Sequence, residues 1–321
     1  MSATIDSGVS LRGRDLLSMA DLRPGELVRL LDRAAELKAE FRAERRHRDV
    51  PLAGRTLAML FEKPSLRTRV SFEAGMSQLG GHAIHLGPGD VGLGVRESVA
   101  DVARNLERWV DAIIIRTFGH GTVVELAAEA SIPVVNALTD REHPCQALAD
   151  LLTIQEQFGR LNGRSLAFIG DGNNVFHSLA LAGGLVGMDI RIAHPDGYGP
   201  DPEVIGQARL LAEETGGSIT LGNDPIEAVR GVDIVYTDTW TSMGQEAEVA
   251  ERRQAFRGYT VDRALLDHAR DDTLVMHCLP AHRGEEITTE VLDGPQSVVL
   301  QQAENRLHVQ KSFLVESLGE R

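Results

Sequence analysis

A short segment rich in hydroxyl and guanidinium groups, Ser65-Leu-Arg67-Thr68-Arg69, follows an apolar run and opens a helical pattern. Backbone N–H groups and the helix dipole attract anions at a helix start. A guanidinium group can pair with two phosphate oxygens, and the two hydroxyl groups add donors. The segment therefore indicates a phosphate site. It also suits an ordinary helix start, with Ser65 as the N-cap and the arginines in solvent.

Two further polar groups stand at strand ends in the same half of the chain. Arg116 ends the apolar run Ala-Ile-Ile-Ile, where it predicts either anion binding or a structural ion pair. His143-Pro-Cys-Gln146 follows the next predicted strand and opens a helix, so His143 and Gln146 share its first turn. His143 suits a hydrogen bond to a substrate carbonyl, or a structural role. Cys145 as a nucleophile paired with His143 is disfavoured, because a Cys inside a helix is typically packed.

A glycine-rich turn and a carboxylate mark the second half. Gly170-Asp-Gly-Asn-Asn174 partly matches a dinucleotide fingerprint, but Val175 stands where the third glycine is expected. Asp238 closes another strand before a glycine-bearing loop and offers a carboxylate to an ammonium group, although an ordinary capped turn would read the same way. A nicotinamide enzyme therefore stays open as an alternative.

A thiol ends the last well-defined strand. A zinc site made by His277, Cys278 and His282 is disfavoured, because adjacent residues of a strand point to opposite faces of the sheet. Contact between the Cys278 thiol and a substrate amine is the preferred interpretation, and an inert, buried Cys278 is the alternative.

Short β-rich runs alternate with segments of helical spacing along the whole chain. This alternation predicts an α/β fold with two doubly wound parallel sheets, whose ligands bind at the carboxyl ends of the strands. A turn at 159–164 divides the chain into domains at 1–159 and 160–303, and a C-terminal helix at about 304–321 is expected to pack back on the first domain. The predicted strands are 56–61, 83–86, 111–117, 132–138, 165–170, 190–195, 233–240 and 273–279.

Composition limits the partners and the compartment. A formal net charge of -14 argues against nucleic acid or an anionic membrane as a partner. No apolar run approaches the roughly 20 residues that span a bilayer, and the first residues lack the apolar run of a secretion signal. Two cysteines are too few for a disulfide framework. We therefore expect a cytoplasmic protein with reduced thiols.

Taken together and in this order, the segments resemble the ornithine carbamoyltransferase family, within the aspartate/ornithine carbamoyltransferase superfamily. The resemblance runs from about residue 10 to the end, and its most specific pieces are DTWTSMG and HCLP. Aspartate carbamoyltransferases share the phosphate segment and HPxQ but match poorly at those two pieces. The matching segments are SLRTR (65–69), the Arg116 strand end, HPCQ (143–146), GDGNN (170–174), DTWTSMGQE (238–246), HCLPAHRGEE (277–286) and AENR (303–306).

The resemblance implies a first domain that binds carbamoyl phosphate and a second that binds L-ornithine, giving L-citrulline and phosphate without a cofactor or metal. The implied carbamoyl phosphate contacts are Ser65, Leu66, Arg67, Thr68, Arg116, His143, Gln146, Cys278, Leu279 and Arg306. The implied ornithine contacts are Asn174, Asp238, Ser242 and Met243. The implied catalytic residues are Arg67, Arg116, His143, Cys278 and Arg306.

Two positions differ from the residues that the family usually has there. Leu66 stands where the family usually has Thr, which removes a hydroxyl group but keeps the backbone N–H. Gly92, in the loop 88–94, stands where many bacterial members carry a Gln that reaches a neighbouring subunit. The resemblance also implies a homotrimer or a multiple of trimers and a role in arginine metabolism. A Rossmann-type dehydrogenase, a catalytically silent ligand-binding protein and a family member with another acceptor, such as putrescine or N-acetylornithine, remain as alternatives.

Overall fold

The computed structural model describes residues 10–242 and 244–319 and divides into two compact units. The first unit comprises the described residues up to Leu152 and those from Asn305 onwards. The second unit runs from Thr153 to Glu304. The C-terminal part of the chain therefore belongs to the same unit as the N-terminal part.

Each unit is built on one parallel sheet, of four strands in the order β2-β1-β3-β4 and of five in the order β7-β6-β5-β8-β9. The predicted α/β class with two doubly wound sheets is thus confirmed. The strands are β1 (Thr56–Phe61), β2 (His82–Leu86), β3 (Ala112–Arg116), β4 (Val134–Leu138), β5 (Ser165–Ile169), β6 (Asp189–Ala193), β7 (Ser218–Gly222), β8 (Ile234–Thr237) and β9 (Leu274–His277).

Thirteen α-helices lie within the described ranges, and none of them is both long and apolar enough to cross a membrane. They are α1 (Pro24–Glu44), α2 (Leu66–Gln78), α3 (Pro88–Val91), α4 (Val99–Leu106), α5 (His120–Glu129), α6 (Pro144–Phe158), α7 (Asn174–Val186), α8 (Pro202–Thr215), α9 (Pro225–Val229), α10 (Val249–Ala255), α11 (Arg263–Leu266), α12 (Thr289–Leu292) and α13 (Val299–Leu318). Short 3-10 turns occupy Met19–Asp21 and Glu246–Glu248.

The order of strands reverses direction once in each sheet, and ligands of such sheets bind where it reverses. In the first unit β1 pairs with β2 on one side and with β3 on the other, so the reversal falls between β1 and β3. The segment 62–68 and Arg116 follow or end these two strands. In the second unit the reversal falls between β5 and β8, which lead into 170–174 and Asp238. The topology therefore collects the polar segments at two sheet edges.

The strands that end at these edges are held by apolar packing. All five residues of β3 are buried, as expected for a central parallel strand covered on both faces. In the first unit, residues of α4 and α5 pack with β1 and β3 in one apolar core. A separate apolar core of the second unit includes residues of β5, β8 and β9.

The C-terminal helix packs on the first unit, as the sequence predicted. Lys38 Nζ of α1 donates to Asn305 Oδ1 at 2.6 Å, and Ser312 Oγ donates to the Leu30 carbonyl at 2.7 Å. Lys311 is fully buried with its Nζ 3.0 Å from His47 Nε2. These contacts fix α13 from Asn305 onwards against α1.

Strand β7 was missing from the predicted set. It is an edge strand in which only Ile219 is buried, and Gly216 and Gly217 stand directly before it. An exposed edge strand lacks the apolar run that identified the central strands. The outer strand therefore carries little of the signal that periodicity can detect.

Replacing Gly184 with alanine should destabilise the second unit, because a Cβ there would lie 2.7 Å from the Ala208 carbonyl oxygen of α8. We expect the free energy of unfolding to fall by about 1–3 kcal/mol. Gly206→Ala is the control: its Cβ would point into open space on α8, so we expect a gain of about 0.5–1 kcal/mol. Urea denaturation measures both, and an unchanged or raised stability in Gly184→Ala would contradict the close helix packing.

Candidate active site

The segment after β1 builds the start of α2. Ser65 is its N-cap: Oγ accepts from the Thr68 N–H at 3.3 Å and donates to Thr68 Oγ1 at 3.1 Å. Leu66 is the first helical residue, and 75% of it is exposed. Arg67 follows and is half-buried. No acidic residue lies in the first turn, so the positive potential of the helix start is not offset there, which favours an anion.

Arg306 connects this segment to a distant helix. The guanidinium group of Arg306, on α13, is buried and donates to Thr68 Oγ1 at 3.0 Å and to Gln146 Oε1 at 2.7 Å. The amide of Gln146 in turn donates to Asp150 Oδ1 at 2.8 Å. Three segments far apart in the chain therefore meet through one side chain, whose position is set before any ligand binds.

His143 lies beside the arginines. Both His143 and Arg116, at the carboxyl end of β3, are buried. Burial lowers the pKa of His143 well below its ordinary 6.5, and the charges of Arg306, Arg116 and Arg67 lower this pKa further. The three guanidinium groups thus act on one imidazole ring, which stays neutral at pH 7 and carries a single N–H donor.

The structure argues against Cys145 as a nucleophile. Its thiol is buried and lies 3.6 Å from the Asn136 carbonyl oxygen. Burial raises the pKa of the Cys145 thiol to about 11, so the reactive thiolate is scarce at neutral pH. The geometry therefore supports a structural role for Cys145, packed in the interior.

In the second unit, the carboxylate of Asp238 stands at the centre of a hydrogen-bonded group. Oδ1 accepts from the Thr239 N–H at 2.8 Å and from the Cys278 thiol at 2.9 Å. Oδ2 accepts from the Asn173 side-chain amide at 2.8 Å. The carboxylate is buried, so these donors offset the cost of removing it from water and fix its orientation.

Asn173 is a residue of this group that the family resemblance did not place among the ornithine contacts. It is the N-cap of α7, where Oδ1 accepts from the N–H groups of Val175 and Phe176 at 3.0 and 3.2 Å. Asn174, which the sequence placed in the site, is the first residue of the helix itself. The position of Asn173 directly before the predicted helix was the signal that could have identified it, because Asn is a preferred N-cap residue.

The other residues predicted for the second unit lie on two loops. The Ser242 N–H donates to Gln245 Oε1 at 2.9 Å. Met243, also predicted to contact the acceptor, lies outside the described residues. Leu279 has a left-handed backbone with φ of 59°, and its N–H donates to His277 Nδ1 at 2.9 Å.

The trio of His277, Cys278 and His282 is not brought together as a metal site. Ligand atoms of Asp238, His277 and Cys278 lie within 4.8 Å of one another, a group that His282 does not join. Both ring nitrogens of His277 are engaged, Nδ1 with the Leu279 N–H and Nε2 with a Glu286 oxygen at 3.0 Å. A cation bound there would have to displace one of these hydrogen bonds.

Comparison with known proteins assigns each half of the chain to a described domain. Residues 14–156 match "Aspartate/ornithine carbamoyltransferase, carbamoyl-P binding domain", and residues 162–316 match "Aspartate/ornithine carbamoyltransferase, Asp/Orn binding domain". The chain belongs to the aspartate/ornithine carbamoyltransferase family. Membership of this family excludes the Rossmann-type dehydrogenase, the alternative suggested by the glycine-rich turn at 170–174.

Individual relatives match over nearly the whole length. The chain is 54% identical to the ornithine carbamoyltransferase of Anoxybacillus flavithermus over 99% of each chain. It is 55% identical to that of Bacillus subtilis over 95% of this chain and 94% of the relative. The solved ornithine carbamoyltransferase of Pyrococcus furiosus is similar at 51% identity and a TM-score of 0.94, covering 97% of this chain and 99% of that one.

The neutral state of His143 can be measured by NMR of protein with 15N-labelled histidine. The His143 ring should stay neutral from about pH 8 to about pH 6, because its pKa lies well below 6.5. Arg306→Gln should raise this pKa by removing the strongest of the charges that lower it, whereas Arg69→Gln, on a partly exposed arginine paired with Glu73, should not.

A His143 ring that gains its proton near pH 6.5 in the unaltered protein would contradict this assignment.

The lowered pKa of His143 also makes the free energy of unfolding depend on pH. Since the folded state favours the neutral ring, the contribution of His143 is present above the unfolded pKa of about 6.5 and is lost as the pH falls below it.

Proposed function

We propose that the protein is an ornithine carbamoyltransferase, which transfers the carbamoyl group of carbamoyl phosphate to the side-chain amine of L-ornithine and releases L-citrulline and phosphate. The observation that carries this proposal is the group of Arg67, Arg116 and Arg306 around the buried His143, in which Arg306 donates to Thr68 Oγ1 at 3.0 Å and to Gln146 Oε1 at 2.7 Å. Relatives bearing this name at 54 and 55% identity support it. Carbamoyl phosphate is an anion whose phosphate leaves in the reaction, and such a set suits both its binding and its departure.

The phosphate group binds at the start of α2. Ser65 and Thr68 supply hydroxyl groups, Leu66 supplies its backbone N–H, and Arg67 and Arg116 supply charge. The exposure of Leu66 explains why a leucine can replace the usual threonine: its side chain is 75% exposed, and the helix start needs only its backbone. The guanidinium groups neutralise the leaving phosphate as its bond to the carbamoyl carbon breaks.

The carbamoyl oxygen gains negative charge as the amine attacks. His143, held neutral by burial and by nearby cations, donates one hydrogen bond to this oxygen. Arg306 and Gln146 bind the carbamoyl end, and their mutual hydrogen bond at 2.7 Å orients both in advance. Because the donors are already fixed by the fold, little reorganisation is needed when charge develops.

The acceptor amino acid binds to the second unit. Asp238 pairs with the α-ammonium group of ornithine, and Asn174, Ser242 and Met243 complete the contacts. An acylated α-nitrogen carries no positive charge, so the buried carboxylate favours free ornithine over N-acetylornithine. Putrescine has neither the α-ammonium group beside a carboxylate nor the chiral centre that the remaining contacts would recognise.

No covalent intermediate with the protein is required. The side-chain amine of ornithine loses a proton and attacks the carbamoyl carbon, a C–N bond forms, and the C–O bond to phosphate breaks. Cys278 and Leu279 lie close to the reacting amine in this proposal. The Cys278 thiol, which donates to Asp238 at 2.9 Å, orients the amine and does not act as a nucleophile.

Assembly and setting remain predictions. We propose a homotrimer or a multiple of trimers in the cytoplasm, with the loop 88–94 facing a neighbouring subunit and Gly92 in place of the usual glutamine. A role in arginine biosynthesis agrees with the name of a relative from Pyrococcus furiosus, an anabolic ornithine carbamoyltransferase with 51% identity.

The proposal is tested by supplying carbamoyl phosphate with each of four acceptors in parallel, ornithine, putrescine, N-acetylornithine and aspartate, and measuring released phosphate together with the carbamoylated product, which is citrulline for ornithine. Ornithine should be the preferred acceptor by a wide margin. Turnover with a different acceptor and not with ornithine would overturn the assignment while leaving family membership intact. Absence of turnover with all four would favour the silent ligand-binding alternative.

Arg67→Ala and Arg116→Ala should each lower kcat by about 10³-fold, because each removes a fixed charge that stabilises the transition state. Circular dichroism should show an unchanged fold. Arg69→Ala is the matched control from the same helix: this residue pairs with Glu73 at 3.0 Å, and its replacement should change kcat by less than about twofold. Near-normal turnover in either of the first two variants would contradict the mechanism.

A further inference from the structure

Arg252, on α10, contacts two loops of the second unit that also carry residues of the group around Asp238. One guanidinium nitrogen donates to the Asp171 carboxylate at 2.8 Å and to the Trp240 carbonyl oxygen at 2.9 Å. Nε donates to Glu248 at 2.8 Å. Arg252 is only 7% exposed, so these partners offset the cost of burying its charge.

The two loops are those that carry the acceptor residues. Asp171 lies in the turn after β5, two positions before Asn173. Trp240 lies after β8, two positions beyond Asp238. The hydrogen bond from Asn173 to Asp238 joins the loops once, at 2.8 Å. Arg252 joins them a second time, through a residue two positions before Asn173 in one loop and a residue two positions after Asp238 in the other.

Aromatic side chains restrict the guanidinium group to this position. The Arg252 guanidinium lies 5.1 Å from the centre of the Tyr198 ring, a cation–π distance. Phe256 packs edge-on against Tyr198 at 4.9 Å and stacks on Trp240 at 5.5 Å. The ring of Trp240 and its carbonyl oxygen are thus held from two sides.

We propose that Arg252 is a positioning residue for the acceptor amino acid. By fixing Asp171 and Trp240 it sets the spacing of the two loops, and through them the orientation of the Asp238 carboxylate that receives the α-ammonium group. The inference rests on the proposed function, because it assumes that Asp238 binds the acceptor. It goes further by predicting that a residue without assigned substrate contact controls ornithine binding.

This role predicts a specific kinetic signature. The residues proposed to bind the phosphate belong to the first unit, whereas all the contacts of Arg252 described above lie in the second. Loss of the cross-link should therefore weaken ornithine binding and leave carbamoyl phosphate binding nearly unchanged. A purely structural role would lower the melting temperature without separating the two substrates.

The shape of the guanidinium group predicts how a conservative replacement behaves. Its planar fork reaches acceptors in two directions, toward Asp171 and Trp240 on one side and toward Glu248 on the other. A lysine ammonium is a point charge that cannot reproduce this geometry. Arg252→Lys should therefore keep the charge balance and restore only part of the positioning.

The experiment measures KM for ornithine, KM for carbamoyl phosphate, kcat and the melting temperature in Arg252→Gln, Arg252→Lys and Asp171→Asn. We expect Arg252→Gln to raise KM for ornithine about tenfold or more, since small misplacements of binding groups are costly. KM for carbamoyl phosphate should stay within about twofold. Arg252→Lys should fall between Arg252→Gln and the unaltered protein, and Asp171→Asn should raise KM for ornithine about threefold.

Arg253→Gln is the matched control, because Arg253 is the next residue but has a side chain that is 59% exposed and pairs with Glu285 at the surface. Its kinetic constants should not change. An unaltered KM for ornithine in folded Arg252→Gln, or an equal rise in both KM values, would overturn the proposal. If Arg252→Gln does not fold, Arg252→Lys and Asp171→Asn decide by the same criteria. Turnover of ornithine by the unaltered protein tests the proposed function separately.

Discussion

Like charges repel, and the arrangement around His143 depends on holding three guanidinium groups close enough to act on one buried ring. The fold does this by placing each arginine on a different rigid element. Arg67 lies in the first turn of α2, Arg116 ends the fully buried β3, and Arg306 lies on α13. Because these elements belong to one packed unit, the backbone positions of the three arginines are fixed relative to one another. This concentration of positive charge agrees with the anion binding proposed for the group.

The second unit holds a buried negative charge where the first holds several positive ones. Here a carboxylate, Asp238, is kept out of water, and donors from three separate segments hold it: Thr239, Asn173 and Cys278. The group around His143 in the first unit is therefore cationic, whereas the group around Asp238 in the second is centred on a carboxylate. This agrees with the two substrates proposed above, an anionic acyl phosphate and a diamino acid with a positively charged α-ammonium group.

The sequence predicted the fold and the strand ends because apolar runs and turn residues are local signals. It missed β7, whose only buried residue is Ile219, and it did not assign Asn173, one position from the residue that it chose. The link from Arg306 to Thr68 spans 238 positions, and periodicity carries no information about such a contact. Arg252 could not be identified from the sequence for the same reason. It stands next to Arg253 in one helix, and no local pattern shows which of the two arginines is buried.

Membership of Arg306 in the first unit also affects how the protein is made. The chain emerges from the ribosome N-terminus first, and the first 152 residues contain most of the phosphate segment's neighbours but not this arginine. Its hydrogen bonds to Thr68 and Gln146 can form only after residue 306 has been synthesised. A chain that stops before residue 306 therefore lacks one of the three cations and the hydrogen bonds that join Thr68 to Gln146 through it.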